Sequence, residues 1–180
     1  RNTFENGLVA FNTFVNASGT AGAESASVYI FAGTYRNARF LNNVVLQEDD
    51  VPVIRLEASG VSFGFNNWSS LPVKGGQGME DIIGDPMIAK SGPSGRGMLT
   101  PGWFAIQSAS PVRDRGLALI GVTEDFQGAP RGNYPDMGAL EVAEGTSITE
   151  SQGNILRLPL RADLAASVGR GEASLEVSFK

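Results

Sequence analysis

Cysteine and histidine are both absent from the 180 residues. Without cysteine there is no disulfide, no thiolate metal site and no cysteine nucleophile, and the redox compartment stays open. Without histidine there is no Ser-His-Asp triad, no HExxH zinc site and no histidine general base. Positive charge is scarce: 14 Lys and Arg stand against 19 Asp and Glu, for a formal net charge of −5. Such a chain lacks the phosphate-neutralising surface that nucleic acid demands, so nucleic acid is not expected as a partner. No uncharged apolar run approaches the roughly 18–20 residues that span a bilayer as a helix, so membrane insertion is not expected either. The chain opens at Arg1 without an initiator Met or a signal peptide. It reads as a processed or partial chain, in which missing targeting signals carry little weight.

Glycine and proline are plentiful instead, at 23 and 9 residues, which indicates many turns. The most informative feature is a spaced repeat. Phe11-Asn12-Thr13-Phe14, Leu41-Asn42-Asn43-Val44 and Phe65-Asn66-Asn67-Trp68 share the order apolar, Asn, Asn or Thr, apolar. Asn12, Asn42 and Asn66 lie 30 and then 24 residues apart. A period in the twenties predicts a solenoid, whose single coil cannot bury its inner face until neighbours stack on it. The longer interval contains a small, polar stretch from Asn16 to Ala26, read as a loop inserted into one coil. Asn2-Thr3-Phe4 repeats the motif only ten residues before Asn12 and fits as another corner of an incomplete first coil. Asparagine suits such corners because it tolerates left-handed backbone and its amide can donate and accept along a stack. Asn12, Asn42 and Asn66 are therefore expected to form a structural corner ladder.

Between these signals the texture is β. Val28 to Phe31, Phe40 to Leu46 and Val51 to Leu56 are rich in β-branched and aromatic residues, with Pro52 where a ladder tolerates it. Val61, Phe63 and Phe65 alternate with Ser62 and Gly64, the period of a strand with one buried face. No window before residue 79 carries a capped 3.6-residue stripe, so the expected class is all-β.

From 71 to 141 turn signals crowd together: Gly75-Gly76-Gln77-Gly78, Gly84-Asp85-Pro86, Ser91 to Gly95 and Pro101-Gly102. Asp85-Pro86-Met87-Ile88, Leu99-Thr100-Pro101-Gly102, Ser110-Pro111-Val112-Arg113-Asp114-Arg115-Gly116, Asp125-Phe126-Gln127-Gly128-Ala129-Pro130-Arg131 and Pro135-Asp136-Met137-Gly138-Ala139-Leu140-Glu141 follow in order. This succession resembles the C-terminal end of secreted right-handed parallel β-helix proteins, among them the choice-of-anchor surface proteins and the pectate-lyase-like superfamily. The resemblance covers 84–141 well and the preceding coils more loosely. It departs where Phe104-Ala105-Ile106-Gln107 and a separate Ser110-Pro111 interrupt a usually compact run, and where Met137 replaces Ile. The resemblance implies a segment that wraps over the last coils and shields the solenoid end. Asp85 and Asp125 then read as turn and side-chain capping positions, and Gly128 and Gly138 as tight backbone passages.

Residues 142–180 have a third texture, ending in Ser174 to Lys180, where Leu175, Val177 and Phe179 face one way and polar residues the other. Such a strand needs an edge. It either folds back on its own domain, begins a further β-sandwich domain, or adds to a neighbouring subunit as an intersubunit strand.

Candidate chemistry follows from the charged and aromatic residues. Parallel β-helices of the resembled group often act on acidic polysaccharides with Ca²⁺-holding carboxylates and a basic residue. Here Arg36, Arg39 and Arg55 accompany Glu48, Asp49, Asp50 and Glu57. The acidic run at 48–50 has the oxygen ligands for Ca²⁺, although a charged turn is normally a solvated corner. Arg39 and Arg55, 16 residues apart, could meet on adjacent faces. Tyr35, Arg39, Arg55 and Trp68 are the candidate carbohydrate-binding residues, with Trp68 also suited to packing at a coil edge. Asp125, Asp136 and Glu141 could pair as glycosidase carboxylates, yet the capping motif explains each of them. No catalytic residue is assigned, and no cofactor beyond the Ca²⁺ option. Asn16-Ala17-Ser18 and Asn67-Trp68-Ser69 are glycosylation-type sequons.

The expectation is thus an all-β right-handed parallel β-helix end: coils over 1–70, a capping segment over 71–141 and a β extension over 142–180. The expected role is a structural and interaction module of a secreted or cell-surface protein, associating with itself, as a filament or other assembly, or with neighbouring domains. The competing expectation is the C-terminal part of a polysaccharide lyase or glycoside hydrolase, with polysaccharide as substrate and most of the active site outside this chain.

Overall fold

The computed structural model describes residues 3–17 and 25–142. By internal packing the chain divides into two compact units, 1–144 and 145–180. The second unit, with the strand expected at Leu175, Val177 and Phe179, lies outside the described residues.

The described chain is all-β with almost no helix, and its strands lie in three parallel sheets. In the first sheet β1 (Thr3–Glu5) and β2 (Leu8–Ala10) lie end to end along β5 (Thr34–Leu41), which also pairs with β8 (Ser59–Gly64). The second runs β3 (Thr13–Val15), β6 (Val44–Leu46), β9 (Asn67–Trp68), β10 (Ile82–Ile83). The third is β4 (Val28–Ile30) against β7 (Ile54–Leu56). Through β9 the chain visits the sheets in the order first, second, third, returning to each in the same direction; after β9 it reaches β10 of the second sheet with no strand in the third. Parallel pairing requires the same-direction return, because a tight hairpin can join only antiparallel strands. One row of the second sheet aligns Thr13, Val44, Asn67 and Ile82.

β6 shows why these residues form this structure. Val44, Val45 and Leu46 are all buried. Val45 packs with Phe40, Val53, Ile54 and Trp68, with Phe14 and Phe63 against them. Val44 and Leu46 point the other way and pack with Ile88, Ile106, Val112 and Met137. A strand buried on both faces has no reason to alternate, and the unbroken Val-Val-Leu run follows. In the inner cluster Phe40 stacks on Trp68 at 5.6 Å and on Phe14 at 6.3 Å, so aromatic rings from three successive passes line up.

The irregular segment supplies the outer cluster. It is held by single antiparallel bridges, Ile88 to Ile106 and Glu124 to Pro130, and one short 3-10 helix, Pro101–Phe104, begun by a proline. It lies along the outer face of the second sheet and reaches back to the first strands. The Ala139 N–H donates to Thr13 Oγ1 at 2.9 Å, and the Gly138 N–H to the Asn42 carbonyl at 2.8 Å. The sequence expectation was a shield over the end of the stack; the observed contacts run down its flank. Gly138 passes with φ +94°, and a Cβ there would lie 2.7 Å from Thr13 Oγ1, so this expected tight passage is one in fact.

Candidate functional site

The corner between first and second sheets carries a continuous polar ladder. Phe11, Asn42, Phe65 and Glu80 each take left-handed backbone, with φ of 56°, 57°, 55° and 57°. The residue after each is a rung: Asn12, Asn43, Asn66 and Asp81. Asn12 donates its backbone N–H and its Nδ2 to Asn43 Oδ1, at 3.0 and 2.9 Å. Asn43 repeats this onto Asn66 Oδ1, at 3.0 and 3.1 Å. Asn66 repeats it onto Asp81 Oδ1, at 2.8 and 3.3 Å. The spacings are 31, 23 and 15 residues. Asn43 and Asn66 are fully buried, so these bonds satisfy groups that would otherwise be costly to bury.

The expected ladder through Asn12, Asn42 and Asn66 is therefore one residue out at its middle rung. Asn42 is the left-handed corner, and its amide turns outward to the Leu117 backbone, donating to the carbonyl and accepting from the N–H, both at 2.8 Å. Corner backbone and ladder amide are separate tasks held by consecutive residues. Aligning Asn42-Asn43-Val44-Val45 with Phe65-Asn66-Asn67-Trp68 would have found the register. Asp81 was missed because an acid breaks the motif.

Two features bound the ladder. At one end Asp81 accepts from its own chain on both oxygens, with Oδ2 taking the Trp68 Nε1–H at 2.8 Å and the Gly78 N–H at 2.9 Å. At the other, β1, β2, β3 and β4 each pair on one side only among the described residues. Beside that edge Phe4, Leu8 and Val9 are 49%, 41% and 39% exposed.

A second cluster locks the flank segment to the first strands. Arg131, whose side chain is only 3% exposed, pairs with Glu141, donates to the Asp136 and Gly138 carbonyls, and lies 4.0 Å above the Phe11 ring. Asp136 accepts the N–H groups of Asp114 and Val142, at 2.7 and 2.6 Å. Asp125 accepts those of Gln127, Ala129 and Glu141, each at 2.8 Å. Burial raises the Glu141 carboxyl from 4.5 to about 7, helped by the Asp136 charge and opposed by Arg131. Burial raises Asp136 too, against its two N–H donors. At Asp125 burial pushes upward, but the three N–H bonds outweigh it and the group ends low. These three acids hold backbone in place. Beside them lies a hollow of about 700 Å³ lined by Arg113, Asn133, Tyr134, Asp136 and Glu141.

The other candidates are dispersed. Trp68 is fully buried, its ring in the inner stack and its N–H on Asp81, so it offers no face to a sugar. Arg39, exposed on β5 opposite Leu8 and Ser62, and Arg55, on β7 in the third sheet, do not meet. Tyr35 packs near Phe4 at 5.8 Å and donates its hydroxyl to the Phe31 carbonyl. Arg55 pairs with Glu57 at 2.6 Å and lies over the Tyr29 ring at 4.9 Å. A hydrogen bond from Tyr29, then Arg55, holds the Glu57 carboxyl low. Lys90 takes Glu48 at 2.6 Å, and among the described residues no three Asp or Glu converge as a metal-holding group. Asn67 is fully buried, with Nδ2 on the Ile82 and Gly84 carbonyls, so its sequon has no room for a glycan on the folded chain. Asn16 is exposed, its amide exchanging hydrogen bonds with Glu48 at 3.0 and 2.9 Å.

No family model matches the chain, and no curated protein matches it. The geometry alone therefore carries the functional reading. Among the described residues, no helix is long and apolar enough to cross a membrane.

Proposed function

We propose that residues 1–142 are the end of a right-handed parallel β-helix, of the kind the C-terminal motifs resemble, serving as a structural and interaction module outside the cell. Three features support the solenoid reading: the rotation of the chain through three parallel sheets, the aromatic stack and the corner ladder. Parallel crossovers are right-handed in about 98% of cases, which supports the hand. The observation that carries the interaction role is the edge formed by β1 to β4, each of which pairs on one side only among the described residues, with Phe4, Leu8 and Val9 exposed beside it. Such an edge is a template for another chain, whether a copy or a neighbouring domain.

Amide hydrogen exchange tests this role. Edge amides of β1 to β4 should exchange fast in the recombinant chain alone and slowly in protein isolated in its natural assembly. Fast exchange in both overturns it.

A further inference from the structure

Between Lys90 and Trp103 the flank segment throws out a loop with a closed neck. The Lys90 N–H donates to the Trp103 carbonyl at 3.0 Å, and the Ala89 N–H to the Ala105 carbonyl at 2.7 Å, next to the Ile88–Ile106 bridge. Beyond that neck residues 91–102 are all exposed, the longest such run among the described residues. Among the described residues, 91–99 make a single backbone hydrogen bond, from the Met98 N–H to the Gly95 carbonyl at 2.9 Å. Arg96 sits inside that turn, and its guanidinium has no ion pair among the described residues. Gly92 and Gly97, with φ of +99° and +76° and open space around them, let the loop change shape without a side-chain penalty.

Other basic residues are pinned. Arg36 and Arg39 lie within β5, which pairs with three strands. Lys74 stands in a turn between buried Pro72 and buried Gly76. On either side of Arg115, the Asp114 N–H is held by Asp136 Oδ1 at 2.7 Å and the Gly116 N–H by the Pro135 carbonyl at 2.7 Å. A protease must draw several residues around the cut into an extended form, so cleavage follows the ease of local opening.

We infer that residues 91–102 are a proteolytic cleavage loop, cut between Arg96 and Gly97 by an arginine-specific serine protease, and that the two resulting chains stay assembled. The protease serine oxygen attacks the Arg96 carbonyl carbon, and the bond to the Gly97 nitrogen breaks as that nitrogen takes a proton. Water then releases Arg96 as a carboxylate. What joins the two chains lies outside the loop. Ser110 Oγ donates to the Pro86 carbonyl at 2.6 Å, the Leu117 N–H to Asn42 Oδ1 at 2.8 Å and the Ala139 N–H to Thr13 Oγ1 at 2.9 Å. Ile106, Val112 and Met137 stay buried with Val44 and Leu46, which belong to the other chain after the cut. Cleavage therefore converts a covalent flank segment into one held by packing alone.

The full chain is treated with trypsin at a low enzyme ratio, and the products are read by denaturing and native mass spectrometry. The earliest cut within 1–142 should give a fragment ending at Arg96, while the native mass still contains both pieces. Arg96→Gln should slow the earliest cut within 1–142 by about tenfold or more, because the remaining basic residues wait on larger openings. Ser94→Arg added to Arg96→Gln should restore the rate, since the loop sets the access. An earlier cut at Lys74 or Arg115, or no recovery with Ser94→Arg, overturns the cleavage loop. Pieces that separate on dilution in native buffer overturn the retained assembly.

Discussion

Asn12 and Asn43, 31 residues apart, are joined at a single atom: the Asn43 Oδ1 accepts both the backbone N–H and the Nδ2 of Asn12, at 3.0 and 2.9 Å. Asn43 also donates to the Val9 and Leu41 carbonyls and to Asn66 Oδ1, so one buried side chain ties three passes of the chain together. Asn43→Ala leaves several of these groups unpaired, at about 1–3 kcal/mol for each buried orphan. Urea unfolding should show a loss larger than for Asn42→Ala, whose amide bonds only the Leu117 backbone. Equal losses would show that the ladder carries no special share of the stability.

Asp81→Asn changes one atom type and should still destabilise. Oδ2 accepts the Trp68 and Gly78 N–H groups, and an amide nitrogen in its place sets donor against donor. The flipped amide instead opposes Asn66, so no orientation satisfies every partner. The expected cost is about 1–3 kcal/mol, measured by chemical denaturation, with the buried Trp68 fluorescence reporting the local change.

Arg131 is the bolt between the flank segment and Phe11. Arg131→Met removes the cation from Glu141 and from the two carbonyls it holds. Breaking a buried pair from one side costs about 3–5 kcal/mol. Exchange should rise first in 125–141, before β5 to β9 respond; uniform opening would argue against a local bolt.

Stability should fall as pH rises from about 4.5 to about 7, through the Glu141 carboxyl. Its folded-state value is raised, so the folded chain binds the proton more tightly. The contribution is complete below the ordinary value and is lost as pH climbs through the raised one. Asp136, also raised, acts in the same sense, while Asp125, lowered, opposes it at more acidic pH. Glu141→Gln should flatten the thermal midpoint across this window. An unchanged slope in that variant would assign the pH dependence elsewhere.

Gly78→Ala should disrupt the turn into β10. A Cβ there would sit 1.7 Å from the Phe63 carbonyl oxygen and 2.7 Å from the Gly64 nitrogen, and backbone cannot swing aside as a side chain can. A cost of at least about 1–3 kcal/mol is expected. Gly102→Ala, with open space around it, is the control and should be near neutral.

Much of the fold was legible because local chemistry and tertiary role agreed. The β-branched runs supplied β4 at 28–30 and, on either side of the Asn42-Asn43 corner, the end of β5 and β6 at 44–46, and Asp125 and Gly138 act in the flank segment as the turn and passage their motifs suggested. What was not legible depended on a choice between neighbours. Asn42 and Asn43 are chemically identical, and only the position of the left-handed corner decides which joins the ladder. Trp68 suited packing better than a sugar platform from its corner motif, and the Phe40 and Phe63 rings against it put it in the core.

By itself the sequence determined the class of the structure and the places where it turns. Asparagine at corners, β-branched runs between them and glycine at tight passages are local requirements, met within a few residues. Only the tertiary structure decided which groups face each other: Arg131 above Phe11, Asp81 at the foot of the ladder, Arg39 and Arg55 on different sheets, Asn67 sealed inside its own sequon. The reason is the strand period of two. A one-residue change in register exchanges inside for outside, and that register is fixed jointly by strands 15 to 31 residues apart, not by any of them alone.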